Sequence, residues 1–319
     1  MKTILVIMEK GDLGKIKMAK NIKSNDFDLY GNEFASIYQV GSCYPNRVTV
    51  INDCSHFIGD ILPILTKNFD VNYVTRSRSL WSKTFGLIWK ILCTHSDIYH
   101  VNFALQDAFL IQKLKHLDVL LCHGSDVRTT INSKKYGWMV RSNLRKAKKV
   151  LFSTPDLKEI LLKYTPNPEY VPVPVRTDVF TPTTSHSKTL DTLYFKKWYE
   201  QIPRELVSLC RMYNINLNVI EPTVSYKNMP SFLNRFKIFI DRFTIPSFSK
   251  TCLEAMSCGL AAITYRDKLQ LPAAVERLSD IDYCKKVGLE NRQYVLENHD
   301  YRITANKITD VWSELLNES

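Results

Sequence analysis

Two short stretches of this chain combine side chains that could do chemistry with a local pattern able to hold them in place. The first is His123-Gly124-Ser125-Asp126-Val127-Arg128, directly after the apolar run Val119 to Cys122. If that run is a strand, an imidazole, a carboxylate and a guanidinium sit at its carboxyl end, where open α/β sheets bind ligands, and Gly124 lets the backbone come close to one. The plainer alternative is that Asp126 caps a helix and His123 fills a hydrogen-bond slot. The second stretch runs from Pro246 to Gly259 and contains Ser247, Ser249 and Thr251, all good helix N-cap types, with Lys250 among them. The free N–H groups of a helix starting there, with the helix dipole behind them, suit a diphosphate. Glu254 falls about a turn inside that helix, where a carboxylate can accept hydrogen bonds from both hydroxyls of a ribose, and Gly259 ends it. The alternative is a capped core helix carrying a solvated glutamate.

The elements that must position these residues are legible as short β-branched or apolar runs alternating with helical patterns, the signature of parallel α/β sheets. Expected strands are Thr3 to Met8, Val48 to Ile51, Val71 to Thr75, Ile98 to Asn102, Val119 to Cys122 and Lys149 to Ser153 in the first half. In the second half they are Thr192 to Phe195, Leu217 to Ile220, Ile238 to Asp241 and Ala261 to Tyr265, with helices at Arg204 to Tyr213, Lys250 to Cys258 and Leu271 to Leu278. Between the halves lie a proline-rich passage from Tyr164 to Val175 and a polar stretch from Thr181 to Lys188. Prolines exclude helix and favour an extended connection. The expected domains are therefore 1–183 and 184–319, with the last helix returning to the first domain.

The chain has 319 residues, of which 45% are hydrophobic and 24% charged, enough for two domains with separate cores. The longest apolar stretches fall short of the ~20 residues that span a bilayer, and the five-residue run Ile4 to Met8 is no signal peptide. The eight cysteines are scattered without zinc spacing, which points to a reduced, cytoplasmic, metal-free protein. A net charge of +11 favours a phosphate-bearing partner without choosing among nucleic acid, anionic lipid and nucleotide. Residues 134–150 concentrate that charge in Lys134, Lys135, Arg141, Arg145, Lys146, Lys148 and Lys149, with Tyr136, Trp138, Met139, Val140 and Leu144 between them. A solvated basic helix is one reading, and a helix lying on an anionic membrane surface with its apolar groups inward is the other.

The two stretches, together with Ser153-Thr154-Pro155-Asp156-Leu157 and Val171 to Pro182, occur in the order seen in family 4 glycosyltransferases, and the chain resembles that family over roughly Asp97 to Tyr265. Glu290 to Leu316 also resembles the family's closing helices. The resemblance implies a GT-B fold, two Rossmann-like domains facing across a cleft, and a metal-independent, retaining transfer that needs no cofactor. It implies that His123 approaches the donor sugar, that Asp126 and Arg128 order that loop beside Gly124, that Glu254 holds the nucleotide ribose, and that Ser247, Ser249, Lys250 and Thr251 face the diphosphate. Three departures stand out. Pro246 occupies the place of the family's first glutamate, eight residues before Glu254, leaving Asp241 as the nearest carboxylate; Asp241-Arg242-Phe243 stands where some members carry Asp-Gln-Leu. The basic pair that clamps the diphosphate has Lys196, Lys197 and Arg204 as its nearest equivalents, and the segment from Tyr265 to Pro272 is shorter than usual. On the acceptor side, the loop Asn52 to Gly59, with Ser55 and His56, fits better than Gly11-Asp12-Leu13-Gly14, which leaves residues 1–45 as an extension.

The expected function is transfer of a sugar from a nucleoside-diphosphate sugar to a glycan or lipid-linked acceptor, in the cytoplasm or at a membrane surface reached through residues 134–150. Two alternatives stand beside it. A degenerate or epimerase-like protein of the same fold would bind the sugar nucleotide without transfer, and a nucleic-acid-binding protein would use the charge but leave both stretches unexplained.

Overall fold

The computed structural model describes residues 37–39, 46–74, 86–183, 188, 190–196, 202–221 and 224–318. The expected strand Thr3 to Met8, the Gly11-to-Gly14 segment and Lys197 lie outside the described residues. The chain divides into two units, residues up to Val171 together with 305–319, and residues 172–304.

In the first unit β1 (Ile37–Gln39), β2 (Arg47–Ile51), β3 (Asp70–Val74), β4 (Ile98–Asn102), β5 (Val119–Cys122), β6 (Lys149–Phe152) and β7 (Glu169–Tyr170) form one sheet in the order β1-β3-β2-β4-β5-β6-β7. β1 runs antiparallel to β3, and the remaining pairs are parallel. Helices α1 (Phe57–Leu65), α2 (Leu87–Cys93), α3 (Gln106–Leu114), α4 (Ser125–Arg128), α5 (Gly137–Lys146) and α6 (Lys158–Leu161) connect the strands. Every residue of β3, β4 and β5 is buried, as befits parallel strands covered on both faces. Tyr99, Val101, Leu120 and Cys122 meet Ala108 and Ile111 of α3 and Val140 and Leu144 of α5 in one core.

In the second unit β8 (Leu190–Phe195), β9 (Leu217–Ile220), β10 (Phe236–Ile240) and β11 (Ala261–Ile263) form a parallel sheet in the order β11-β10-β8-β9. Helices α7 (Arg204–Met212), α8 (Met229–Leu233), α9 (Lys250–Ser257), α10 (Leu271–Ser279) and α11 (Ile281–Asn298) complete it. Leu193, Phe236 and Phe239 pack with Leu253 and Met256 of α9 in one core, and Ile238, Ile240 and Ile263 pack with Leu206, Val275 and Leu278 in another. The last helix, α12 (Tyr301–Asn317), begins in the second unit and continues in the first. There its fully buried Trp312 lies edge-on to Phe69, with ring centroids 5.2 Å apart, and donates from Nε1 to His100 Nδ1 at 3.1 Å.

Three sequence expectations need correction. The units divide at Val171 and Pro172, ahead of the expected 183/184 junction, because the proline-rich backbone finds its partners in the second unit: Val175 N donates to His299 O at 2.8 Å and Tyr301 N to Val175 O at 3.0 Å. Phe180 is then buried in the second unit's core. The proline-rich passage also holds a strand, β7, which among the described residues pairs with β6 alone at the sheet edge, where proline-flanked strands are tolerated. Finally, the basic helix of 134–150 is α5 alone, since Lys149 and Val150 already belong to β6. Val140 and Leu144 face the domain core, so they are not available to a membrane; Trp138 is half-exposed, packs edge-on to Phe109 and donates to Lys135 O at 3.1 Å.

Candidate functional site

Each sheet has one place where the chain reverses its direction of winding. In the second unit β9 is added on one side of β8 and β10 on the other, so the reversal lies between β8 and β10. In the first it lies between β2 and β4, which flank each other while β3 sits outside. Loops diverge at the carboxyl ends of such strand pairs and leave the crevice in which open α/β sheets bind ligands.

In the second unit, Lys196 follows β8 directly, and Asp241 and Arg242 follow β10. The loop then leads through Ser247 to Ser249, the N-cap of α9, whose hydroxyl accepts from Cys252 N at 3.1 Å. Asp241 is buried and its carboxylate accepts the Ser249 N–H at 2.9 Å, pinning the helix start to the strand end. Burial, with Asp241 nearby, drives the Cys252 thiol well above its usual range, and the protonated thiol donates to Met256 Sδ at 3.8 Å. Glu254 is buried too, at 3% exposure, which decides against the solvated glutamate weighed from sequence. Lys250 holds its ammonium over the Tyr226 ring, 5.6 Å from the centroid, and Thr251 is half-buried in the first turn. Gly259 follows α9 at φ +72°, the left-handed backbone that closes a helix, and its carbonyl accepts from Lys188 Nζ at 2.7 Å. The short segment after β11 is a 3-10 helix, Tyr265–Gln270, capped reciprocally by Thr264 and Asp267, with the Arg266 guanidinium 4.8 Å from the Phe248 ring centroid.

In the first unit, His123 and Gly124 link β5 to α4. Gly124 sits at φ +130°, and a Cβ there would lie 2.7 Å from Arg128 Nη1. Asp126 is fully buried and ties the loop to its neighbour strand: one carboxylate oxygen accepts from Gly124 N at 2.8 Å, the other from Ala104 N at 3.0 Å, just past β4. Burial raises its pKa, and the backbone N–H groups around it pull the other way. Arg128 Nε and Nη2 both reach Asp156, at 2.7 and 2.6 Å, and Nη2 also reaches Thr154 Oγ1 at 3.2 Å. Asp126 and Arg128 are thus the framework of the loop. His123 is half-buried, its ring edge-on to Phe57 at 5.3 Å. Phe57 opens α1, so that contact joins the His123 loop to the loop after β2. In the latter, Asn52, Ser55 and His56 all take positive φ, of 64°, 58° and 56°. Ser55 is exposed and His56 half-buried; neither side chain caps α1, because Asp53 does so, accepting from Ile58 N and Gly59 N, each at 3.0 Å. The structure therefore groups His123, Phe57, Ser55 and His56 at one sheet edge of the first unit, and Lys196, Asp241, Ser247, Ser249 and Glu254 at one sheet edge of the second.

Sequence reasoning passed over Asp53, Phe57 and Asp156, the residues that hold these loops. Asp53 was readable as a cap from its place between a strand and the apolar run of α1; the other two depend on contacts between distant segments. Among the described residues, no group of three or more His, Cys, Asp or Glu is placed to hold a metal ion, and no helix is long and apolar enough to cross a membrane.

No family model and no curated protein sequence matches the chain. Solved structures do. A sucrose-phosphate synthase from Thermosynechococcus elongatus superposes with a TM-score of 0.60 at 12% identity, over 86% of this chain and 100% of that one. A glycosyltransferase from Rickettsia africae gives 0.59 at 12% identity, over 87% and 100%. HepE from Anabaena, solved with UDP and glucose, gives 0.59 at 8% identity, over 84% and 100%. The fold is that of the GT-B glycosyltransferases, with two Rossmann-like domains.

Proposed function

We propose that the chain is a glycosyltransferase that takes a sugar from a nucleoside-diphosphate sugar, with retention of anomeric configuration and without a metal ion. The observation that carries this reading is the start of α9: a Ser249-capped helix whose first turn stands at the winding reversal of its sheet, with the buried carboxylate of Glu254 one turn in. Helix N–H groups and dipole suit the diphosphate, and a buried carboxylate suits the paired ribose hydroxyls. The GT-B likeness and the UDP and glucose bound to HepE support the same choice of ligand.

In this reading the bond from the anomeric carbon to the leaving phosphate oxygen breaks while the acceptor oxygen bonds to the same face. The acceptor's proton passes to the departing phosphate oxygen, and the leaving charge is met by fixed N–H donors. His123 contributes to the sugar end, and Asp126 and Arg128 hold its loop. The acceptor is a hydroxyl of a glycan or a lipid-linked glycan, and the exposed basic residues of 134–150 are suited to anionic headgroups. Thermal melts of the full chain across nucleoside diphosphates and sugar nucleotides, with and without chelator, test the reading. A ligand bound only by the folded state raises the melting temperature. At least one diphosphate should do so in chelator; a shift that appears only with added metal would remove metal independence, and no shift with any of them would remove the function.

A further inference from the structure

At the opposite edge of the first unit's sheet, where β2, β3 and β4 begin, lies a cavity of about 430 Å³ whose lining includes Arg47, Asp70, Asp97, Tyr99, Lys115 and His116. That volume falls in the range of small-molecule sites, about 300–1,000 Å³. A strand's length, roughly 15 Å, separates it from the loops that carry His56 and His123. The register sets Arg47 opposite Asp70 at the head of the β2–β3 pair. Arg47 Nε donates to Asp70 Oδ2 at 2.8 Å, and the Arg47 backbone N–H donates to Asp97 Oδ2 at 2.7 Å. Asp70 is 6% exposed, and its second carboxylate oxygen, Oδ1, has no hydrogen-bond partner among the described residues. Lys115, half-buried just past α3, makes no ion pair among them either. Tyr99 gives the cavity a buried aromatic wall, its hydroxyl donating to Thr94 O at 2.7 Å and its ring edge-on to His116 at 5.2 Å.

A carboxylate oxygen taken out of water without a donor is costly, and buried polar groups nearly always have partners. The group that satisfies Asp70 Oδ1 has to donate a proton there and lies beside cations that need an acceptor. With the histidines neutral, the formal charges of Arg47 and Lys115 balance those of Asp70 and Asp97, so the lining favours neither an anion nor a cation. Among the described residues, no group of three His, Cys, Asp or Glu is placed to hold a metal ion. A hydroxyl both donates and accepts without carrying charge. Adjacent hydroxyls on one ring can therefore donate to Asp70 and accept from Arg47 or Lys115, while the ring's C–H face lies against an aromatic wall. We propose that this cavity is a second, non-catalytic carbohydrate site, which holds a neutral sugar unit through Asp70, Arg47 and Lys115.

The test is an amide-resolved NMR titration of the full chain with glucose, galactose, mannose, N-acetylglucosamine, maltose, lactose, cellobiose and chitobiose. Inorganic phosphate and free lysine serve as the anion and cation controls. At least one saccharide should shift the Arg47, Asp97 and Tyr99 amides to saturation and leave those of Gly124 and Ser249 in place. Asp70→Asn should weaken that saccharide by about tenfold. Arg47 Nε only donates, so it turns the amide oxygen to itself, and the charge-assisted bond to the sugar is lost. Lys115→Ala removes a side chain without an ion pair among the described residues and should weaken the saccharide by about fivefold, with melting within about 2 °C of the wild type. Should Asp70→Asn fail to fold, Lys115→Ala carries the test. Binding within about twofold of wild type in every variant that folds overturns the proposal. So does a cavity that no saccharide enters, a saccharide whose shifts are confined to 123–128 and 249–254, or phosphate or lysine shifting these amides at lower concentration than any sugar. Each of these results leaves the transferase reading untouched, because the two sites share no residue.

Discussion

Gly124→Ala probes the most tightly specified backbone position of the His123 loop. Gly124 holds φ at +130°, where an L side chain is strained at a cost of about 1–3 kcal/mol. The new methyl would lie 2.7, 3.3 and 3.4 Å from Arg128 Nη1, Nη2 and Cζ, so it presses on the guanidinium as a whole. That group is not free to swing away, because Nε and Nη2 are bound to Asp156 at 2.7 and 2.6 Å and Nη2 to Thr154 at 3.2 Å. Moving it by a few tenths of an ångström weakens charge-assisted bonds, which adds about 1–2 kcal/mol as part of their full worth. The sum is about 2–5 kcal/mol. At roughly 2–4 °C per kcal/mol for a domain of this size, the melting temperature should fall by about 5–15 °C. A double-mutant cycle with Arg128→Ala separates the two contributions: truncating Arg128 removes the clash but not the backbone strain, so the pair should be less destabilised than the sum of the singles by about 1–2 kcal/mol. Calorimetric melts of the four proteins are the assay. A Gly124→Ala protein melting within about 2 °C of the wild type would refute the strained-loop geometry, since the two costs cannot both be absorbed.

Glu254→Gln should leave the fold intact and weaken nucleotide binding by about 1.5–3 kcal/mol in titration, because an amide loses charge-assisted bonds to the ribose; affinity within twofold of wild type would count against that role. His123→Ala should cut turnover with little change in nucleotide affinity or melting temperature, as expected for a contact that matters most while the glycosidic bond breaks; joint loss of stability, binding and turnover would make it a structural histidine. His100 predicts a pH effect: burial, helped by the nearby His123, lowers its pKa to about 3 from 6.5. The folded state keeps it neutral while the unfolded chain takes up a proton below 6.5, so its contribution is present above pH 6.5 and is lost as pH falls toward 3. Between pH 6.5 and 5 the loss should be about 2 kcal/mol, and His100→Gln, which keeps an acceptor for Trp312, should lack that part of the acid destabilisation in denaturant titrations; an unchanged pH dependence would contradict the assignment.

The sheets were largely legible in the sequence, for a physical reason. Parallel strands covered on both faces read as apolar runs, and the fully buried β5 lies where its run places it; β4 and the part-exposed edge strand β9 also keep their expected bounds. β1 and β7 were not legible: one is a three-residue antiparallel edge strand, the other two residues flanked by Pro168 and Pro172, and neither buries enough to leave a pattern. The proline-rich passage signalled an extended chain, but the unit it joins depends on hydrogen bonds to residues near 300, which are distant in sequence. The basic run 134–150 was misread in length because charge does not distinguish the end of α5 from the start of β6, where Lys149 pairs with Glu169 and Glu314 at 3.5 and 2.8 Å. At the candidate site, Gly124, Ser249 and Glu254 stood out because caps, glycines and isolated carboxylates have local signatures. The turning of Asp241 toward Ser249 leaves no such trace, since a charged residue after a strand looks the same whether its partner is solvent, protein or ligand.

Turnover of a sugar nucleotide is tested by release of nucleoside diphosphate from a panel of sugar nucleotides in the presence of chelator, with Glu254→Gln measured alongside. The wild type should hydrolyse at least one donor slowly, and the variant should do so much less under the same conditions. Binding of a sugar nucleotide with no release, either alone or with glycan and lipid-linked acceptors added, would contradict it and identify a protein that holds the donor without transferring its sugar.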